Sequence, residues 1–242
     1  MITTFTSPSE STCQNRIAEH VFNRFGIDPR ATDKIHENTA LIEVNPDFLV
    51  DILNVFSRNQ DIDYSVFEKY SVPVLVDYLL RSHTYYLEKI LPEIGQSIAI
   101  LLGNYDEKSA LLEILYKFYF SYKTDLQEHF IEEEELLFPY ANQLHKAVYF
   151  KTEINFFANF LQDYSINDFA ENHSDTEEEL INIINILSEY DPPSTNKSSF
   201  RILIEQLRNF EHDLEIHAFI EDRVLMPKLV QLEQNLRFEI NN

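Results

Sequence analysis

Residues 129–139 read HFIEEEELLFP, and residues 217–227 read HAFIEDRVLMP. Both stretches carry His at the first position, Glu at the fifth, Leu at the ninth and Pro at the eleventh. On a helix, side chains four positions apart share a face, with Cβ atoms about 6 Å apart. Each stretch therefore presents an imidazole beside a carboxylate, His129 with Glu133 and His217 with Glu221. Two further histidines, His83 and His173, precede the two stretches, so the pattern His…His-x-x-x-Glu occurs twice. The repetition predicts a duplicated helical hairpin, each half giving two histidines and one glutamate to a shared metal site.

Working outward, each of these residues falls on an apolar stripe of helical period. Ser71 and Pro73 open a first long helix whose stripe runs Val76, Leu79, Leu80, Tyr86, Leu87, Ile90 and Ile94, with His83 among them. A loop over residues 103–109 leads to a second helix with Leu111, Leu115, Phe118, Tyr122 and Leu126 inward, extended by His129 and Glu133. Pro139 predicts that this helix ends or kinks. The third helix covers residues 166–190 with Phe169, Ala170, His173, Glu177, Leu180, Ile184 and Leu187; after a loop over 191–199 the fourth carries Leu203, Leu207, Phe210, Leu214, His217, Glu221 and Val224. The intervals 83–129, 129–173 and 173–217 are 46, 44 and 44 residues. Near-equal intervals put one ligand per helix at a common height in an up-down-up-down four-helix bundle.

Ahead of the bundle, residues 1–14 are rich in Ser and Thr and read as a flexible arm. Residues 15–66 read as a small helical N-terminal domain, with Asn45 capping a helix that has Pro46 at its first position. Residues 67–242 read as the bundle. The fold class is all-α.

The 242 residues carry a formal charge of −22, which repels phosphates and argues against nucleic acid or an anionic membrane surface as partner. A single cysteine, Cys13, excludes an intramolecular disulfide framework or a four-cysteine metal site within one chain. The start lacks a basic and apolar leader, and no run of about 18 apolar residues exists to span a membrane. The chain reads as soluble and cytoplasmic.

Burying His83, His129, Glu133, His173, His217 and Glu221 costs several kcal/mol unless they are paired or metal-bound. Six donors exceed the three or four of a single zinc site. Imidazole with carboxylate suits iron or manganese, and ligand type alone leaves zinc open. Two iron ions could each take two imidazoles with both glutamates bridging; an oxo or hydroxo bridge would leave a position for a small diatomic. Glu177, one turn beyond His173, reads equally as an additional ligand, a hydrogen-bond acceptor or a solvated acid. Glu132, Glu134 and Glu135 read as a solvated face, and His20, His36, His145 and His212 fall outside the pattern. Tyr85, Tyr86, Tyr119 and Tyr122 read as core aromatics that could also donate hydrogen bonds to ligands or carry oxidising equivalents.

The paired motifs with His83 and His173, together with SVPVLVDYLLRSHTYYLEKILPEI over residues 71–94, resemble the hemerythrin-like family of four-helix di-iron proteins. Within it the resemblance is to the repair-of-iron-centres, or iron–sulfur cluster repair, proteins. It covers about residues 71–232. Oxygen-carrying hemerythrins have a fifth histidine where this chain has Glu177. Repair proteins often carry a cysteine pair after a Phe/Leu-Gly-Ile-Asp sequence; here Phe25-Gly26-Ile27-Asp28 continues as Pro29-Arg30. The resemblance implies a stress-response protein that repairs iron–sulfur clusters or handles nitric oxide at a di-iron site. Its implied partners are nitric oxide or oxygen and iron–sulfur apoproteins; a homodimer is compatible with the sequence. The alternative is an oxygen or nitric oxide sensor or store without turnover.

Overall fold

Proline lacks an amide hydrogen, and its ring clashes with the carbonyl four residues earlier, so a proline inside a helix must be accommodated locally. Three prolines here, Pro92, Pro139 and Pro227, lie on helical runs that do not stop at them. Each is the second residue after a π-helical turn: Tyr86–Ile90, Glu133–Leu137 and Phe219–Leu225. In the second turn the amide of Phe138 donates to the carbonyl of Glu133, a reach of five residues instead of four. The wider turn absorbs the proline, and the helix expected to end or kink at Pro139 continues to Phe150.

The computed structural model describes residues 1–57, 64–103, 110–152, 166, 177–190 and 197–240. In chain order the helices are α1 (Pro8–Gln14), α2 (Ile17–Arg24), α3 (Ile35–Ala40), α4 (Pro46–Phe56), a 3-10 turn (Tyr64–Phe67), α5 (Val72–Tyr85), α6 (Leu91–Gly103), α7 (Ala110–Glu132), α8 (Phe138–Phe150), α9 (Glu177–Glu189), α10 (Lys197–Ala218) and α11 (Met226–Ile240). Among the described residues there is no strand, as an all-α reading requires. No helix among them is long and apolar enough to cross a membrane.

These residues fall into two compact units. The first comprises Met1–Tyr85, Ala141–Ile166 and Phe219–Asn242. In it α2 packs on α4 and α5, and α5 packs on the third π turn. Phe22, Phe48, Phe67 and Tyr78 fill its core. Arg24 is buried among them: it donates to the Tyr78 hydroxyl at 2.9 Å and lies over the rings of Phe56, Tyr78 and Tyr85. Cation–ring contacts of this desolvated kind are worth about 2 kcal/mol. They fasten α2 to α4 and α5. Gly26 takes φ of 71° just past α2, and the amide of Ile27 closes back on Phe22 at 2.9 Å, the left-handed helix stop that glycine favours.

The Ser- and Thr-rich start contains α1 and has specific hydrogen bonds. Ser7 and Glu10 form a reciprocal capping box at the head of α1. The Asn54 side chain both accepts from and donates to the backbone of Ile2, at 3.0 Å each way. The composition that suggests disorder is thus partly capping chemistry. Asn45 caps α4 with Pro46 at its first position, as the sequence indicates.

The second unit comprises Tyr86–Tyr140 and Asn167–Ala218. Within it α6 packs on α7, α7 on α9, α9 on α10, and α10 back on α6. Each helix presents its apolar stripe inward, through Ile94 and Ile98, Leu115 and Leu126, Leu180 and Leu187, and Leu203 and Leu207. Each such side chain contributes about 1.5–3 kcal/mol on burial. One stripe departs from expectation. Leu87 and Ile90 are only half-buried, and the buried positions pass from Tyr86 to Leu91. The π turn adds one residue to the period, so a 3.6-residue stripe drawn through it lands one position early.

Gly95 sits in the interior of α6 against Tyr119, whose hydroxyl donates to the Leu91 carbonyl at 2.8 Å. A Cβ at position 95 would lie 2.5 Å from that hydroxyl oxygen and 2.8 Å from the ring carbon bearing it, whereas nothing lies within 4 Å of one at Gly103. Alanine ordinarily stabilises a helix interior over glycine by about 1 kcal/mol, but overpacking costs about 1–3 kcal/mol. Denaturant unfolding should therefore show Gly95→Ala less stable than the parent and Gly103→Ala no less stable.

Candidate metal centre

A carboxylate removed from water needs a positive or hydrogen-donating neighbour, or a metal. Glu133 is 0% exposed, the most deeply buried acid among the described residues, where Glu221, Glu233 and Asp213 are buried as well. It opens the second π turn, and its neighbours Glu132, Glu134 and Glu135 all face solvent as expected. One Glu133 oxygen lies 2.7 Å from His129 Nε2, one helical turn earlier. His129 itself is 13% exposed at its side chain.

A second imidazole near Glu133 comes from α10. His217 is buried near the end of that helix and offers a ring nitrogen within 4.8 Å of a Glu133 carboxylate oxygen. A buried imidazole beside a buried carboxylate is a donor pair that could hold a metal ion. His217 is fixed by aromatic rings: Tyr86 lies edge-on with centroids 5.8 Å apart, and Phe130 at 6.0 Å. Tyr86 and Phe130 are themselves 6.0 Å apart, and Phe210 meets Tyr86 at 5.3 Å. This wall excludes water from one side of the imidazole.

In the first unit, His83 on α5 and Glu221 in the third π turn are both buried, at 1% and 2% exposure. Their two elements pack on one another. Each unit therefore buries an imidazole and a carboxylate from the six predicted donors. His173 lies outside the described residues. Glu177 is the first residue of α9, and its side chain also lies outside them.

The remaining histidines have local partners. His20 Nδ1 is 2.8 Å from the Tyr85 hydroxyl, His36 Nδ1 is 3.0 Å from the Thr4 carbonyl, and His212 Nδ1 is 3.3 Å from Glu215. His145 meets the Tyr149 ring at a tilt, with centroids 4.6 Å apart, and burial lowers its pKa. Tyr119 hydrogen-bonds backbone, and burial holds its hydroxyl pKa above the usual value.

Asp213 is the site residue that motif reading overlooks. It is 5% exposed, lies one turn before His217, and accepts the Tyr86 hydroxyl at 2.5 Å. Its position four residues before a candidate ligand, on the same buried face of α10, was the available signal. One acid among 41 Asp and Glu residues does not stand out by composition.

No family model matches the chain. It is similar over 231 residues to the iron–sulfur cluster repair protein ScdA of Staphylococcus haemolyticus, with 22% identity covering 94% of this chain and 99% of the relative. The resemblance to iron–sulfur cluster repair proteins, drawn above from the motifs, thus extends along nearly the whole chain.

Proposed function

We propose that this chain is a di-iron protein that restores damaged iron–sulfur clusters under nitrosative or oxidative stress, or reacts with nitric oxide at the same centre. The observation that carries the reading is the fully buried Glu133, held at 2.7 Å by His129 and within 4.8 Å of the buried His217. The full-length likeness to a protein named for iron–sulfur cluster repair points the same way.

The residues present fit the metal. Buried imidazole and carboxylate are donors for iron, and nothing among them favours the thiolate chemistry of a zinc ribbon or cluster. In this reading, which for the full set rests on the sequence motifs, His83, His129, Glu133, His173, His217 and Glu221 would hold two iron ions with an oxo or hydroxo group. Glu177 is a further donor or a hydrogen-bond acceptor beside His173. Bound iron would supply one-electron chemistry and a position for a diatomic such as nitric oxide or oxygen. The chain's own residues supply the rest. The paired carboxylates balance the metal charge in a dry core, and Tyr86 and Phe130 exclude water beside His217.

The closed circuit of contacts through α6, α7, α9 and α10 supports the up-down-up-down bundle as the scaffold. Residues 67–242 form the functional module in this reading, with 15–66 an accessory domain. The partners proposed are iron–sulfur apoproteins. Cys13 is exposed and is the single cysteine of the sequence, with no second thiol in the chain to pair with, so the repair chemistry assigned here does not use it.

The protein purified from iron-replete cells should contain two irons per chain, with near-ultraviolet absorption from the bridged ferric pair. One zinc per chain without that band would overturn the reading. Glu133→Ala should lose metal and stability together, by roughly 3–5 kcal/mol, since breaking a buried pair strands its partners. Loaded protein should restore activity to an iron–sulfur enzyme inactivated by nitric oxide. Anaerobic binding of nitric oxide with no repair and no turnover under a reductant would favour the sensor. Cys13→Ser should leave iron content and repair rate unchanged.

A further inference from the structure

A histidine that binds metal needs its ring held in one orientation, and its neighbours usually provide the hold. We propose that Tyr86 and Asp213 are positioning residues that set His217, resting on the reading of His217 as a metal ligand. Tyr86 is 0% exposed and projects from the first residue of a π turn. Its hydroxyl donates to Asp213 Oδ1 at 2.5 Å and also lies 3.3 Å from the Asp213 backbone carbonyl. In an α-helix the carbonyl of residue 213 accepts from the amide of residue 217. One hydroxyl therefore engages both the Asp213 side chain and the peptide group that receives the His217 amide.

The brace has a reason to sit there. The α-helical ladder of α10 ends at Ala218, and the π turn begins at Phe219. His217 thus lies in the last regular turn before the hydrogen-bond pattern changes, where its backbone would be least constrained. Tyr86 ties that turn down, and the same ring abuts the imidazole at 5.8 Å. Phe130 closes the other approach at 6.0 Å. The alternative role for Tyr86 is core packing alone. Packing would need the ring and would be indifferent to the hydroxyl, yet the hydroxyl is placed on a buried carboxylate that no packing requirement explains.

The test uses the full chain and separates the hydroxyl from the ring. Tyr86→Phe keeps the ring, Asp213→Asn keeps an acceptor oxygen without the charge, and Asp213→Ala removes both. Tyr119→Phe is the control, because it deletes another buried tyrosine hydroxyl in the same unit that bonds the Leu91 carbonyl instead. The first measurement is nitrogen-15 NMR of the His217 imidazole in metal-free protein. The parent, Tyr119→Phe and Asp213→Asn should give one ring environment; Tyr86→Phe and Asp213→Ala should give exchange-broadened or doubled signals. The second is ferrous iron affinity by competition with a chromophoric chelator. Tyr86→Phe and Asp213→Ala should weaken it about 10–100-fold, with Asp213→Asn near the parent. Parental ring signals and affinity in Tyr86→Phe would overturn the brace, and so would equal losses in Tyr119→Phe. A parent that binds no iron would sink the metal reading alone, since the NMR comparison on metal-free chains still decides the brace. If Tyr86→Phe does not fold, the contrast between Asp213→Asn and Asp213→Ala decides it.

Discussion

A carboxylate with no exposed surface, Glu133, sets the terms for the structure around it. Moving it out of water is worth several kcal/mol of penalty, more than any one apolar contact in the core returns. The chain meets that cost with His129 at 2.7 Å on its own helix and with His217 brought from α10. Those partners carry constraints of their own. His217 must be held in place, which draws in Tyr86, Phe130 and Asp213. Asp213 is itself a buried acid, and the Tyr86 hydroxyl accommodates it. The polar core is a chain of dependencies that begins at one glutamate.

The His129–Glu133 contact was legible because helical spacing is rigid: residues four apart on a helix share a face, and the two side chains meet at 2.7 Å. Apolar stripes gave the helices for the same reason. What escaped was the change of period. Nothing in a 3.6-residue template anticipates a turn of five, so Leu87 and Ile90 are read inward beside Tyr86, whereas they are half-buried and Leu91 is the buried position that the stripe omits. Prolines 92, 139 and 227 were the trace of it. A proline is ordinarily taken as a helix end, whereas here the preceding turn widens and the helix goes on. Asp213 escaped for a different reason. Its role depends on a contact with Tyr86, 127 positions away in sequence, and no local pattern encodes such a pairing. In the N-terminal stretch, composition does not report the specific backbone partners that Ser7 and Asn54 have.

The recurring Leu and Pro of the two motifs acquire a meaning from this. Leu137 and Leu225 each close a π turn and are 0% exposed; Pro139 and Pro227 follow two residues later on the solvent face. The proline cannot donate to the carbonyl four residues back, which favours the longer hydrogen-bonded ring. The leucine anchors the far side of that ring in the core. Between them they hold open a helical turn at the glutamate, the residue that must reach inward. His83 precedes a turn of the same construction, closed by buried Leu91 after Ile90 and followed by Pro92. The two motif copies are not geometric duplicates, however. The π turn starts at Glu133 in one and two residues before Glu221 in the other. An added residue in a helix rotates everything beyond it by about 100° relative to what precedes. Shifting the start of the turn by two residues therefore changes how each carboxylate is aimed, while the His-to-Glu spacing in sequence stays the same. Two His-x-x-x-Glu copies of identical sequence pattern are thus free to differ in geometry, because the position of the turn, more than the motif, sets how each carboxylate is aimed.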